Sequence, residues 1–184
     1  MRSKNISVMA YINPMLANKT DAKVNYFNEA YSNGFFVRLE NGSLWSGYNG
    51  ASLIDLTNKN AVDFYVKIIR ENLIGSGVVG WMADFGESLP LDASLFDKKV
   101  DPLSFHNQYP VEWQKLNERA VSGSVHYASK NLSVPIVYFC RSGGTKSPAH
   151  TSLFWQGDQL VVWNHFDGLK TAILCLSFST NFSL

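Results

Sequence analysis

Cysteine is scarce in this chain: Cys140 and Cys175 are the only two. Two thiols 35 positions apart make neither a disulfide framework nor the close pairs of a zinc site. Both lie in apolar runs and read as small buried hydrophobes. Histidine is sparse as well. His106, His126, His150 and His165 show no paired spacing, so neither metal ligation nor any other cofactor is expected. Excess charge of either sign is missing, with 16 Lys plus Arg against 15 Asp plus Glu and a net charge of +1. Such a balance gives no reason to expect nucleic acid as a partner. No apolar run approaches the ~20 residues of a membrane span. Met1-Arg2-Ser3-Lys4-Asn5 leads directly into a strand-like segment and does not read as a signal peptide. The nucleophile elbow Gly-x-Ser-x-Gly and the P-loop lysine pattern are absent. Gly75 to Gly80 does spell G-x-G-x-x-G, but in the wrong setting. A dinucleotide fingerprint follows a strand and opens a helix, whereas this one follows a helical pattern and opens a strand. Asn-x-Ser/Thr triplets such as Asn41-Gly42-Ser43 and Asn131-Leu132-Ser133 are too short to fix a compartment.

What the chain does have is apolar and aromatic content. Apolar residues make up 46% of 184 positions, enough for one sizeable core. Aromatics reach 14% and include five Trp. Buried Trp usually serves the core, and exposed Trp and Tyr make platforms for sugar rings. The periodicity alternates between two and three to four. Ile6 to Ile12 reads as a strand ended at Asn13-Pro14. Asp21 to Asn33 reads as a short helix ended at Gly34. Ala51 to Leu56 reads as a strand, then Asn58 caps a helix from Lys59 to about Leu73, with Val62, Tyr65, Val66, Ile69 and Leu73 on one stripe. Val78 to Ala83 follows as the central strand. Ser88 to Pro110 reads as a long loop. Val111 to Lys130 is helical, Val134 to Cys140 a strand, Thr151 to Gln156 another, and Asp167 to about Ser177 a helix. Alternation of this kind predicts an α/β fold, a parallel sheet covered by helices.

The chemistry-bearing residues fall at the ends of the expected strands. The central stretch runs Val78-Val79-Gly80-Trp81-Met82-Ala83-Asp84-Phe85-Gly86-Glu87. Its two-residue period sets Gly80, Met82 and Asp84 on one face and Trp81 and Ala83 on the other. Asp55, Asp84 with Glu87, Arg141 and Asp158 each close a strand. In a parallel barrel such tips converge on one face, where barrel enzymes hold their active sites. Two carboxylates there can share the work of glycosidic cleavage, one attacking and one serving the leaving oxygen. Arg141 would add a fixed charge, and Trp155 could wall the pocket. Each residue also has a structural reading, because strand-tip Asp residues often cap loops and Arg often pairs with them.

Trp81-Met82-Ala83-Asp84-Phe85-Gly86-Glu87-Ser88-Leu89-Pro90, Arg141-Ser142-Gly143 and Trp155-Gln156-Gly157-Asp158-Gln159 together resemble glycoside hydrolase family 31, in its sulfoquinovosidase and α-glucosidase-like branch. Tyr11-Ile12-Asn13-Pro14 and Asp55-Leu56-Thr57-Asn58 match that branch too, and the resemblance runs from about Ile6 to Leu174. It implies a retaining α-glycosidase on a (β/α)₈ TIM barrel, acting on a carbohydrate substrate. Asp84 matches the nucleophile and Asp158 the general acid/base. Arg141, Trp155, Glu87 and Trp81 match positions around the sugar, with Glu87 orienting its neighbours. Retention requires carboxyl groups ~5–5.5 Å apart, and that separation is expected for Asp84 and Asp158. The segment Gly143 to His150 departs from the family pattern. Met82 stands where many α-glucosidases of the family have Trp, which favours the sulfoquinovosidase-like branch. A sugar-binding paralogue without turnover and a metal-dependent barrel hydrolase are the alternatives. Retention of both aspartates weighs against the first, and the unpaired histidines against the second.

A complete barrel needs about 250 residues. The expected fold is therefore an incomplete TIM barrel spanning residues 1–184, roughly strands 3 to 6 with their helices. A fragment of a longer enzyme, a truncated gene model or a splice product would each have this form. An open half barrel exposes two unpaired strand edges and an uncovered inner face. The isolated polypeptide is expected to be poorly folded and inactive. Purification of these residues alone, followed by denaturant titration and an assay, checks this; cooperative unfolding together with turnover would refute it.

Overall fold

The computed structural model describes residues 6–19, 24–122, 135–151, 153–163 and 166–179. Its elements in order are β1 (Met9–Ile12), β2 (Met15–Leu16), α1 (Tyr26–Ser32), β3 (Arg38–Leu39), β4 (Ser52–Leu53), α2 (Lys59–Ile68), β5 (Gly80–Ala83), β6 (Ala93–Ser94), α3 (Pro102–Ser122), β7 (Val137–Cys140) and α4 (Leu169–Ser179). The main sheet is parallel, in the order β1-β5-β7. Met9 pairs with Gly80 and Ile12 with Ala83; Gly80 in turn pairs with Val137 and Ala83 with Cys140. A single parallel bridge between Cys140 and Phe154 extends the order by one position. Helices carry the crossovers between successive strands, as a parallel sheet requires.

The two faces of this sheet differ. Trp81, Ala83 and Cys140 are fully buried on one face, with Ala10, Ile12 and Tyr138 packed beside them. Trp81 stacks on Tyr138 at 5.9 Å between ring centroids, and its indole N–H donates to Asn117 Oδ1 at 2.8 Å. Asn117 donates onward to the Trp113 carbonyl at 2.8 Å, so this apolar layer leaves the indole N–H satisfied. Tyr65 of α2 meets Trp113 of α3 edge to face at 5.7 Å. The other face carries Met9 and Tyr11, each 51% exposed, and Val137 at 39%. The expected alternation of β5 therefore holds: Trp81 and Ala83 face the helices, and Asp84 follows Met82 on the open side.

Several expected elements differ. Ala51 to Leu56 contributes β4, which pairs antiparallel with β2, and an antiparallel bridge from Ile54 to Phe36; both stand outside the parallel sheet. Its short apolar run matches either setting, and periodicity alone does not distinguish them. The expected loop from Ser88 to Pro110 ends early, because α3 begins at Pro102 and carries Pro110 within it. The start signal is Asp101, whose carboxylate accepts from the Ser104 N–H at 2.9 Å and its hydroxyl at 2.7 Å just ahead of Pro102. The α2 stripe holds, with Tyr65, Val66 and Ile69 buried, and the helix widens into a π-helical turn over Ile69–Ile74 before Gly75. Among the described residues from Thr151 to Gln156, strand pairing is limited to the Phe154 bridge. The expected helical residues 123–130 and the first position of the expected strand at Val134 lie outside the described residues.

The two thiols also separate. Cys140 is buried as expected, whereas Cys175 on α4 is exposed. Burial pushes the Cys140 thiol up to about 12, with the Thr151 hydroxyl acting in the opposite direction. At pH 8 Cys140 is therefore a protonated, shielded thiol, far from the thiolate that alkylating reagents need. Iodoacetamide on the native protein should modify Cys175 and spare Cys140 until denaturant is added, as peptide mass spectrometry would read. Equal labelling of both thiols without denaturant would contradict the placement of Cys140.

Candidate active site

The site begins where β5 leaves the sheet. The Asp84 N–H makes a last rung to the Ile12 carbonyl at 2.9 Å. The chain then turns abruptly: Phe85 has φ 57° and Gly86 φ 109°. A Cβ on Gly86 would sit 2.7 Å from Ser142 Oγ and 3.2 Å from the Trp113 ring, so backbone conformation and space both call for glycine. Ser142 Oγ donates to the Phe85 carbonyl at 2.6 Å, and Gln114 Nε2 donates to the Ser142 carbonyl at 2.6 Å. Gln114 is fully buried in α3. One helix side chain thus fixes the segment after β7, which fixes the segment after β5.

This stitching brings three charged groups together. Asp84 has a side chain only 8% exposed. Its Oδ2 accepts a hydrogen bond from the Tyr11 hydroxyl at 2.7 Å. Its Oδ1 lies 3.3 Å from Arg141 Nε as an ion pair, and is buried with no hydrogen-bond partner. Two of the arginine's hydrogens go to Glu87: Nε donates to Glu87 Oε1 at 3.1 Å, and Nη2 donates to the same oxygen. The guanidinium also lies over the Phe85 ring, 4.2 Å from its centroid. Leaving a buried oxygen without a donor costs free energy, and the adjacent guanidinium charge offsets part of that cost. Partial burial of Arg141 disfavours its charge, but the hydrogen bond and charge of Glu87 and then the charge of Asp84 outweigh it, raising the guanidinium pKa. Arg141 is a fixed cation at any working pH.

Tyr11 is the site residue that sequence reasoning missed. It stands on β1 two positions before the Asn13-Pro14 turn, in register with Met82 on the open face. Burial, then the hydrogen bond to Asp84, raise its pKa, so its hydroxyl stays a donor. Asn13 Nδ2 donates to the Tyr11 oxygen at 3.3 Å and orients it. The period-two face of β1, set in register with β5, was the available signal.

The remaining expected residues divide. Glu87 and Arg141 join Asp84 directly. Trp155 is half-buried one residue beyond the Phe154 bridge, its N–H donating to the Cys140 carbonyl at 2.8 Å. Asp158 is exposed, one residue after Gly157 at φ 81°. Among the described residues no hydrogen bond or ion pair joins Asp158 to Asp84. The expectation that Trp81 contacts a sugar is corrected: its ring is fully buried against Tyr138 and bonded to α3, on the face of β5 away from Asp84. Asp55 is likewise no parallel-strand tip. It is a buried clamp whose Oδ1 accepts from the Thr57 N–H at 2.9 Å and hydroxyl at 2.6 Å, and whose Oδ2 accepts from the Phe96 N–H at 2.7 Å. Among the described residues no group of three or more His, Cys, Asp or Glu side chains is placed to hold a metal ion. No described helix is long and apolar enough to cross a membrane.

A carboxylate held by one hydrogen bond beside a fixed cation is suited to attack or stabilise a developing positive centre. Comparison with known proteins agrees in family. Residues 1–181 match the Glycosyl hydrolases family 31 TIM-barrel domain. The chain is 34% identical over 173 residues to the sulfoquinovosidase of Escherichia coli (strain K12), covering 91% of this chain and 24% of that protein. It is 34% identical over 177 residues to the sulfoquinovosidase of Agrobacterium fabrum, covering 94% and 25%. A solved family 31 sulfoquinovosidase from E. rectale, in complex with an aza-sugar inhibitor, superposes with a TM-score of 0.79 at 36% identity, covering 94% of this chain and 25% of that one. The chain thus spans about a quarter of the length of the curated relatives it matches. On this match and these identities, the chain belongs to glycosyl hydrolase family 31.

Proposed function

We propose that this chain carries the nucleophile and the acid/base of a retaining α-glycosidase, working as a sector of a TIM barrel within a longer protein. The observation that carries the reading is the state of Asp84. Its carboxylate is buried at the tip of the central parallel strand, with Oδ1 free of hydrogen bonds beside Arg141. A structural capping carboxylate ordinarily fills both oxygens with donors, as Asp55 does.

In the first step, the Asp158 carboxylic acid gives its proton to the glycosidic oxygen as that bond breaks. The Asp84 carboxylate meanwhile forms a bond to the anomeric carbon. In the second step the Asp158 carboxylate takes a proton from water, the water oxygen bonds to the anomeric carbon, and Asp84 leaves. Arg141, oriented by Glu87 and Phe85, supplies a positive charge beside the attacking carboxylate and donors toward the sugar. Trp155 would wall the pocket. The exposure of Met9, Tyr11 and Val137 supports the barrel-sector reading, since these residues line the face that an enclosed barrel fills with side chains. The sulfoquinovosidase relatives make a sulfoquinovoside the first glycoside to assay.

In the full-length protein, Asp84→Asn and Asp158→Asn should each lower kcat by roughly three orders of magnitude or more, because each removes a group used in the chemical steps. Steady-state assay of aryl α-glycosides reads this. Rates within about tenfold of the parent for both variants would overturn the assignment.

A further inference from the structure

We propose that Tyr11 is a positioning residue that holds Oδ2 of Asp84 and so fixes the orientation of the attacking carboxylate. The inference rests on the reading of Asp84 as nucleophile and adds the group that holds it.

A free carboxylate rotates about its terminal bond and presents either oxygen. In Asp84 the two differ in their hydrogen bonding. Oδ2 accepts the Tyr11 hydroxyl at 2.7 Å, whereas Oδ1 has no donor although it is buried. The Tyr11 oxygen is itself oriented, because Asn13 Nδ2 donates to it at 3.3 Å. Asn13 is held in turn: its Oδ1 accepts from the Met15 N–H at 3.0 Å, and its carbonyl accepts from the Tyr65 hydroxyl of α2 at 2.5 Å. The chain of contacts runs from a buried helix residue through the turn after β1 to the carboxylate. Arg141 meets the other oxygen of Asp84: its Nε lies 3.3 Å from Oδ1, while Nε and Nη2 each donate to Glu87. The charged and titratable groups facing Asp84 are therefore Tyr11 from β1, Arg141 after β7, and Glu87 through Arg141, with Tyr65 behind Tyr11.

Preorganisation of this kind acts on attack and on departure alike. When the carboxylate bonds to the anomeric carbon, the leaving oxygen takes the bonding pair and the Asp158 proton, and Asp84 becomes a neutral ester. The Tyr11 hydroxyl still donates to Oδ2, but to a weaker acceptor. When Asp84 is expelled the bond regains its full strength, so Tyr11 stabilises the departing carboxylate as well as the resting one.

The test uses the full-length protein with Tyr11→Phe, a change that removes one oxygen at a half-exposed ring. Three readouts are compared with the parent: the pH profile of kcat/KM, the deglycosylation rate after burst labelling, and the site labelled by a fluorinated glycosyl fluoride that traps the nucleophile. Loss of a donor to a carboxylate favours its protonated form. The acidic limb of the profile should therefore move to higher pH. The ester should turn over about tenfold or more slowly, the size expected for one hydrogen bond to a charged group. Label should still reach Asp84. Should Phe at 11 impair folding, a ring-fluorinated tyrosine at that position preserves the shape. Its phenol ionises earlier, so activity should fall in mildly alkaline buffer where the parent keeps it. A Tyr11→Phe profile that superimposes on the parent's, with unchanged deglycosylation, overturns the role of Tyr11 alone. An active parent that takes no label at Asp84 overturns the nucleophile assignment, and this proposal with it.

Discussion

The parallel pairing of β5 with β1 on one side and β7 on the other is the constraint on which the site depends. The last rung, from the Asp84 N–H to the Ile12 carbonyl, sets how far the carboxylate projects beyond the sheet. The pairing of Ala83 with Cys140 sets Arg141 level with Asp84, because each is the next residue in its own strand. The register of Tyr11 with Met82 places the tyrosine ring two positions from Asp84 on the same face. A slip of one residue in either ladder would turn the side chains of one strand to the opposite face and disperse all three. The register is held from behind by the layer of Trp81, Tyr138, Trp113 and Tyr65, whose polar atoms are met by Asn117 and by backbone carbonyls.

The segments after the strands add a second level of order. The left-handed backbone at Phe85 and Gly86 is unfavourable for an isolated chain, above all at the non-glycine Phe85. It persists because Ser142, Gln114 and the cation over Phe85 hold it. The same arrangement directs Glu87 back toward Arg141. Strained backbone and an unpartnered buried carboxylate oxygen thus occur together at Asp84, the combination expected where stability is given up for reactivity.

Much of this was legible in the sequence. The alternating run from Val78 to Asp84 gave the central strand, its two faces and the carboxylate at its tip, because a period of two survives whatever surrounds it. The stripe of α2 and the Asn58 cap were equally local. What was not legible depended on distant partners. Ala51 to Leu56 has the composition of a buried strand, yet it pairs with β2 in a separate small ladder. Prolines 102 and 110 suggested a loop, although one opens a helix and the other is accommodated inside it. The family resemblance put Trp81 among the positions around the sugar, but adjacency to Asp84 along a strand means opposite faces. Tyr11 went unassigned because its partner lies 73 residues away, a pairing that only the register reveals.

The central claim is that Asp84 and Asp158 act in two displacements, each inverting the anomeric carbon, for net retention. Proton NMR of the full-length protein acting on an aryl α-glycoside tests this most directly, through the anomeric signal of the first sugar released before mutarotation. The account predicts the α anomer first, with the β anomer growing in later at the spontaneous rate. Appearance of the β anomer first would mean a single displacement by water and would contradict the role given to Asp84.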